Sequence, residues 1–303
     1  MPEQHQAGEP RPRRRAIRAR WAAGVLAAAL SLVALPTTGL LALPGALGGD
    51  LRDGAAAGPA AGAPQTPVPD PLVAAVPDVE RPLMVLRPGA GGQVTTSSAL
   101  PRAVGETAVL VLHGYTSSAA QVADRLDAPA LARALDAVVV LPTGLGDRPS
   151  WDAGTCCGSA ARSGVDDVGY LRRLLADLRS RGAARAYVVG YSNGGMLAYR
   201  LACEHPEDVA AIAVVNASIA VPRCPGAFTA LHLAGAQDRA VPVEGTDLVP
   251  FLFTGFPALA ELPALAPAAD LDVRVLEGVG HEVAPSAPAT IRRWLEAEPA
   301  APG

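Results

Sequence analysis

Lysine is missing from the 303-residue chain, so all 25 basic residues are arginines, a bias that reads as coding composition rather than as adaptation to nucleic acid. Their placement says more. Arg11, Arg13, Arg14, Arg15, Arg18 and Arg20 precede the first apolar run, accompanied only by the acids Glu3 and Glu9, a local balance of +4. Downstream, 19 arginines face 27 acidic residues. An acidic body without a basic stripe argues against a nucleic-acid partner. No cysteine directly follows the apolar run, which argues against a bacterial lipoprotein anchor. No C-x-x-C pair occurs, which argues against a four-thiolate zinc site.

What is present at the N-terminus reads as an export signal. The arginines lead into "WAAGVLAAALSLVAL", 15 uncharged residues of the length of a secretory apolar region and short for a membrane span. Trp21 to Leu47 taken whole is long enough to cross a bilayer despite Pro36 and Pro44, so a cleaved signal and a retained anchor both stay open. "RRRAI" also resembles a twin-arginine signal. Either way the arginines remain in the cytoplasm and the body lies outside, with membrane contact only through an uncleaved anchor. The expected organisation is a basic leader over 1–48, an Ala/Pro/Gly-rich tether over 49–79 and a catalytic domain over 80–303.

In an exported body, Cys156, Cys157, Cys203 and Cys224 form an even set that calls for two disulfides. A bridge between chain neighbours is strained, so Cys156 and Cys157 are each expected to bond one of Cys203 and Cys224. From residue 80 onward, short apolar runs alternate with helix-length segments. "TAVLVLHG" (107–114), "DAVVVLPTG" (136–144), "AYVVG" (186–190), "AAIAVVNA" (210–217), "TALHLAG" (229–235) and "DVRVLEGVG" (272–280) read as strands buried on both faces. "DDVGYLRRLLADLRSRG", "NGGMLAYRLACEH" and "APATIRRWLEA" read as helices, with Asp166 and Asp167 as caps of the first and Gly182 as its stop. The alternation predicts an α/β protein with a mostly parallel sheet covered on both faces, and with its chemistry at the carboxyl ends of the strands.

At one such end stands "GYSNGG", a G-x-S-x-G segment between a strand and a helix. Gly190 and Gly194 remove the side chains that would clash across the sharp turn that lifts Ser192 above the sheet. A serine hydroxyl needs a base in reach and an acid to orient that base. Of the five histidines, His5 lies in the leader, His113 precedes the serine, His205 ends the following helix and His232 is inside a strand; His281, after the last strand, remains as the base. Asp238 ends the strand between Ser192 and His281 and is the expected acid, whereas Asp247 and Asp270 do not directly follow a strand. Two backbone N–H groups must also meet the negative charge that develops on an attacked carbonyl oxygen. Asn193, directly after the serine, supplies one, and Tyr115 in "LHGYTSS" supplies the other, with His113 structural.

"LPTG", "WDAGTCCG", "VDDVGYLRRLL", "GYSNGGMLAYRLACEHPEDVAAIAVVNA" and "GAQDRAVPVEG" together resemble the secreted polyhydroxybutyrate depolymerase and feruloyl esterase group of α/β-hydrolases, over about residues 80–297. The resemblance implies an α/β-hydrolase fold, a triad of Ser192, Asp238 and His281, and hydrolysis of hydroxyalkanoate or hydroxycinnamate esters without metal or organic cofactor. Tyr115 stands where relatives often carry cysteine, and "GVGHEVAPS" departs from their Gly-Gly-Gly-His-x-Trp-Pro. Only 11 residues separate "VVNA" from the next strand, so no large cap domain is expected there, and the stretch 239–271 is the candidate wall of an open cleft. Trp151 is a candidate aromatic platform for substrate in that mouth. A serine peptidase on the same fold and a noncatalytic cell-envelope binding protein are the rival readings; the second predicts a missing triad member.

Overall fold

The computed structural model describes residues 81–249 and 254–298, all within the second of two units into which the chain divides, Asp70–Gly303. The predicted leader over 1–48, the predicted tether over 49–79 and residue 80 lie outside the described residues. Among the described residues no helix is long and apolar enough to cross a membrane. Two strands outside the runs expected from the sequence come first, β1 (Leu83–Pro88) and β2 (Val94–Ser97), paired antiparallel. There follow β3 (Thr107–Leu112), α1 (Ala119–Arg125), α2 (Ala128–Ala134), β4 (Ala137–Pro142), α3 (Gly158–Arg162), α4 (Asp167–Ser180), β5 (Arg185–Tyr191) and α5 (Asn193–Glu204). The chain closes with β6 (Ala211–Val215), β7 (Thr229–Gly235), the hairpin β8 (Thr246–Val249) and β9 (Thr254–Phe256), α6 (Leu262–Leu265), β10 (Asp270–Leu276) and α7 (Ala287–Ala297).

Eight strands form one sheet in the order β10-β7-β6-β5-β3-β4-β1-β2, parallel from β10 to β4 and antiparallel at β1 and β2. Side chains alternate across it: Ala108, Leu110 and Leu112 of β3 join Leu171, Leu175, Leu197 and Leu201 of α4 and α5 on one face, while Val109 and Val111 join Val122, Leu131 and Ile291 of α1, α2 and α7 on the other. Being covered twice, the central strands are apolar at nearly every position. β10 is the exception. It pairs only with β7, begins at Asp270 rather than Asp272, ends at Leu276, and exposes Val273 and Val275, so it is an edge strand and not a strand buried on both faces.

Two sequence expectations need correction. Asp166 caps α4 by accepting the N–H of Gly169, but Asp167 is no cap: its buried carboxylate takes the guanidinium of Arg81 and the N–H of Asp152. Burial raises its pKa, and Arg81 opposes that rise. The disulfide pairing also differs. Cys203, near the end of α5, is bonded to Cys224, whose connection from β6 to β7 runs back against the helix with the Cα atoms 4.5 Å apart. With Cys203 and Cys224 joined to each other, Cys156 bonds its neighbour Cys157 across a cis peptide bond, and none of the four thiols is free. Proteolysis and mass spectrometry without reductant should recover Cys156 and Cys157 on one peptide two hydrogens lighter than its reduced form, and a separate linked pair of peptides carrying Cys203 and Cys224. Any peptide linking Cys156 or Cys157 to Cys203 or Cys224 contradicts this connectivity.

His232 in β7 is fully buried and shares a 2.8 Å hydrogen bond with the Tyr199 hydroxyl through Nδ1, and burial lowers its pKa to about 4. The unfolded chain takes up the proton from about pH 6.5 downward while the folded chain stays neutral to about 4, so this contribution to stability is present above that window and is lost as pH falls through it. Urea titrations should show wild type losing roughly 3 kcal/mol relative to His232→Gln between pH 7 and pH 4. A difference independent of pH contradicts a neutral buried His232.

Candidate active site

The register brings four connections to one edge. Leu112 of β3 pairs with Gly190 of β5, Tyr191 with Val215 of β6, and Gly235 of β7 with Leu276 of β10, so the loops after β3, β5, β7 and β10 leave the sheet side by side. Ser192 occupies the turn between β5 and α5 with φ 52° and ψ −122°, a backbone conformation that costs a non-glycine residue about 1–3 kcal/mol. The turn is held by the Ser192 N–H on Val215 O at 2.9 Å and by closeness that only glycine permits. A Cβ on Gly190 would lie 2.5 Å from Gly195 Cα, and one on Gly194 would lie 2.4 Å from Leu112 O.

Ser192, 9% exposed, directs Oγ to within 2.9 Å of His281 Nε2, and His281 Nδ1 lies 2.7 Å from Asp238 Oδ2. The Asp238 side chain is 1% exposed, and its other oxygen accepts the N–H groups of Ala240 and Val241, each at 2.8 Å. The carboxylate is thus aimed by its own loop rather than by the histidine alone. The structure brings together the three residues expected from the sequence and leaves Asp247 on exposed β8.

The histidine loop has supports that the sequence reading missed. Asn216, at φ 50° just after β6, accepts the Gly235 N–H at 2.9 Å and donates to Gly280 O at 3.1 Å and Glu282 O at 2.8 Å, clasping both sides of His281. The Tyr191 hydroxyl donates to His281 O. Burial raises the Tyr191 pKa, which keeps that hydroxyl a donor. A polar residue closing the apolar run "AIAVV" was the available signal for Asn216.

A second chain of hydrogen bonds fixes the loop after β3. The Asn193 side chain accepts the Trp151 N–H at 2.8 Å and donates to Trp151 O at 3.0 Å. The Trp151 indole N–H donates to His113 O at 2.9 Å. His113 Nε2 accepts the Gly144 N–H at 2.9 Å, which leaves Nδ1 to carry the proton and donate to Gly114 O at 2.7 Å. Burial lowers the His113 pKa, consistent with this neutral tautomer, so its role is structural as expected. Trp151 is not a platform in the mouth: it is 0% exposed, because its indole N–H finds a carbonyl in the core, and it does not line the cleft. The backbone N–H of Asn193 has no acceptor within its own helix, as the first residue of α5, and that of Tyr115 makes no backbone hydrogen bond among the described residues.

These elements border a cleft of about 390 Å³ lined by Tyr115, Gln121, Arg125, Arg148 and Tyr191 around Ser192 and His281. Among the described residues of the stretch 239–271 only Ala240 lines it, and α1 and the loop after β4 supply more of its wall. The described grouping with metal-ligand spacing, His205, Glu207 and Asp208, lies outside the cleft, and Asp208 is already bonded by Arg172 and Arg179.

No protein-family model matches the chain. It is 31% identical over 161 residues to a putative esterase, NocK, of Nocardia uniformis subsp. tsuyamanensis, a match covering 50% of this chain and 45% of the relative, so the chain spans about half the length of the curated relative it matches. Its fold is similar to the crystal structure of esterase PE8, with a TM-score of 0.50 and 20% identity over 73% of this chain and 100% of that one. A mostly parallel sheet covered on both faces, with a strained serine at the turn from β5 to α5, agrees with that similarity: the chain has the α/β-hydrolase fold.

Proposed function

We propose that the chain is an exported serine esterase. The observation that carries this reading is the hydrogen-bonded line from Ser192 Oγ through His281 to Asp238, at 2.9 and 2.7 Å, opening on the cleft. His281 Nε2 removes the hydroxyl proton as Ser192 Oγ attacks the ester carbonyl, and the N–H groups of Asn193 and Tyr115 receive the negative charge on the carbonyl oxygen. The imidazolium, stabilised by Asp238, returns the proton to the departing alcohol and leaves an acyl-enzyme. Water then attacks, its proton going to His281, and the carboxylic acid leaves as Ser192 regains its hydrogen.

Similarity to a putative esterase favours esters over peptides as substrates. Among esters, the "WDAGTCCG" and "YSNGGM" segments favour those of hydroxyalkanoates or hydroxycinnamates. Export is supported by the arginine-rich start, the apolar run after it and the pairing of all four cysteines.

Ser192→Ala should lower hydrolysis of p-nitrophenyl acyl esters by at least about 10³-fold with an unchanged circular dichroism spectrum. Turnover near that of wild type, or cleavage of peptide anilides in preference to esters, contradicts the assignment. Asp238→Asn should cost about 10²- to 10⁴-fold in kcat, because it favours the wrong imidazole tautomer and removes the charge facing the imidazolium. Asp247→Asn on exposed β8 should cost less than about tenfold. The reverse order would assign the orienting role to Asp247.

A further inference from the structure

The cleft beside Ser192 carries two arginines that the proposed chemistry does not use. Arg125 closes α1, one turn after Gln121, and its guanidinium carbon lies 5.5 Å from the centroid of the Tyr191 ring. Arg148, on the loop after β4, stands 5.6 Å from the centroid of the Tyr115 ring. Tyr191 directly precedes Ser192, and Tyr115 carries one of the two N–H groups assigned to the carbonyl oxygen. The two positive charges therefore lie over aromatic rings that line the same cleft as Ser192.

Neither arginine forms an ion pair among the described residues, although the chain is rich in acids and other arginines show that pairing is available. Arg81, Arg172, Arg179, Arg181 and Arg200 all bind carboxylates. Asp124 and Asp147 adjoin the two cleft arginines in sequence without pairing with them, and no carboxylate lines the cleft. Two arginines in a cleft that no carboxylate lines, in a chain whose net charge is negative, focus a positive potential there. Gln121, whose side-chain oxygen is held by the Ser117 hydroxyl at 3.1 Å, adds a fixed amide to the same wall.

We propose that this wall binds a carboxylate on the substrate, so that the preferred esters carry a free carboxylate on their acyl or alcohol part and are held by Arg125 and Arg148 while Ser192 attacks the carbonyl. The inference rests on the esterase reading and names the substrate class of that same site. Guanidinium groups suit the role because they present paired N–H donors to both carboxylate oxygens and stay charged at every working pH.

The test compares kcat/KM for two matched pairs: mono-4-nitrophenyl adipate with 4-nitrophenyl adipamate, and the butyryl ester of 4-hydroxybutyrate with that of 4-hydroxybutyramide. Wild type should prefer the carboxylate of at least one pair about tenfold, the size expected from two partly exposed ion pairs, and the preference should shrink as salt rises. The double variant Arg125→Gln/Arg148→Gln should bring the ratio near one. Equal rates within both pairs, or a preference that survives in the double variant, overturns the proposal while leaving ester hydrolysis itself in place. Calorimetric binding of adipate to wild type and to the double variant decides the point independently of turnover. Salt-sensitive binding lost in the double variant supports the carboxylate site even if no ester is cleaved, which would remove the esterase reading alone. Absent binding together with equal ester rates removes the site.

Discussion

The Asn193 side chain holds both the N–H and the carbonyl of Trp151, and the mouth of the cleft is built outward from that pair. Asn193 is the first residue after Ser192, so whatever its carboxamide grips is placed relative to the serine. Trp151 passes the constraint to His113 O through its indole, and the His113 ring passes it to Gly114 and Gly144. Tyr115 is next in the chain. The two N–H groups assigned to the carbonyl oxygen are thereby set at a fixed separation by buried hydrogen bonds, each costing about 1–3 kcal/mol if one partner is lost. Preorganisation of this kind is what makes donors worth more to a transition state than water is.

The other half of the site is built the same way on the opposite side of the serine. Asn216 and the Tyr191 hydroxyl hold the backbone on both sides of His281, while two N–H groups aim Asp238. The strain stored in Ser192 is tolerated because β3, β5 and α5 pack at distances that only Gly190 and Gly194 allow. Rigid surroundings thus carry the cost of lifting Ser192 clear of the sheet, and in the proposed reading the wall bearing Arg125 and Arg148 distinguishes substrates.

Much of this was legible in the sequence because the central strands are buried on both faces and so read as unbroken apolar runs. β3 to β7, α4, α5 and α7 stand where the runs and periodicities put them. β1 and β2 are not legible because the apolar run of "LMVLRP" is only four residues long before arginine and proline end it, and "VTTS" is mostly exposed. β10 was assigned too much burial because an edge strand and a central strand share the same β-branched residues. Ser192, His281 and Asp238 could be found by chain order relative to the strands, which sheet topology preserves. Trp151 could not be placed, because a tryptophan in a polar loop gives no sign of the carbonyl its indole will meet. The cysteine pairing turned on the local return of Cys224 against α5, which spacing does not encode. The chain has only two asparagines, Asn193 and Asn216, and both hold the site together; that scarcity was a signal of structural use.

The central claim is that Ser192 is a nucleophile activated by His281. A fluorophosphonate probe tests it most directly, since attack by an activated serine oxygen displaces fluoride and leaves a stable phosphonyl adduct. Incubation of the folded protein followed by peptide mass spectrometry should place one adduct on Ser192, with labelling abolished in His281→Ala. An unlabelled Ser192 in folded protein, or an adduct formed at the same rate without the histidine, would contradict the account.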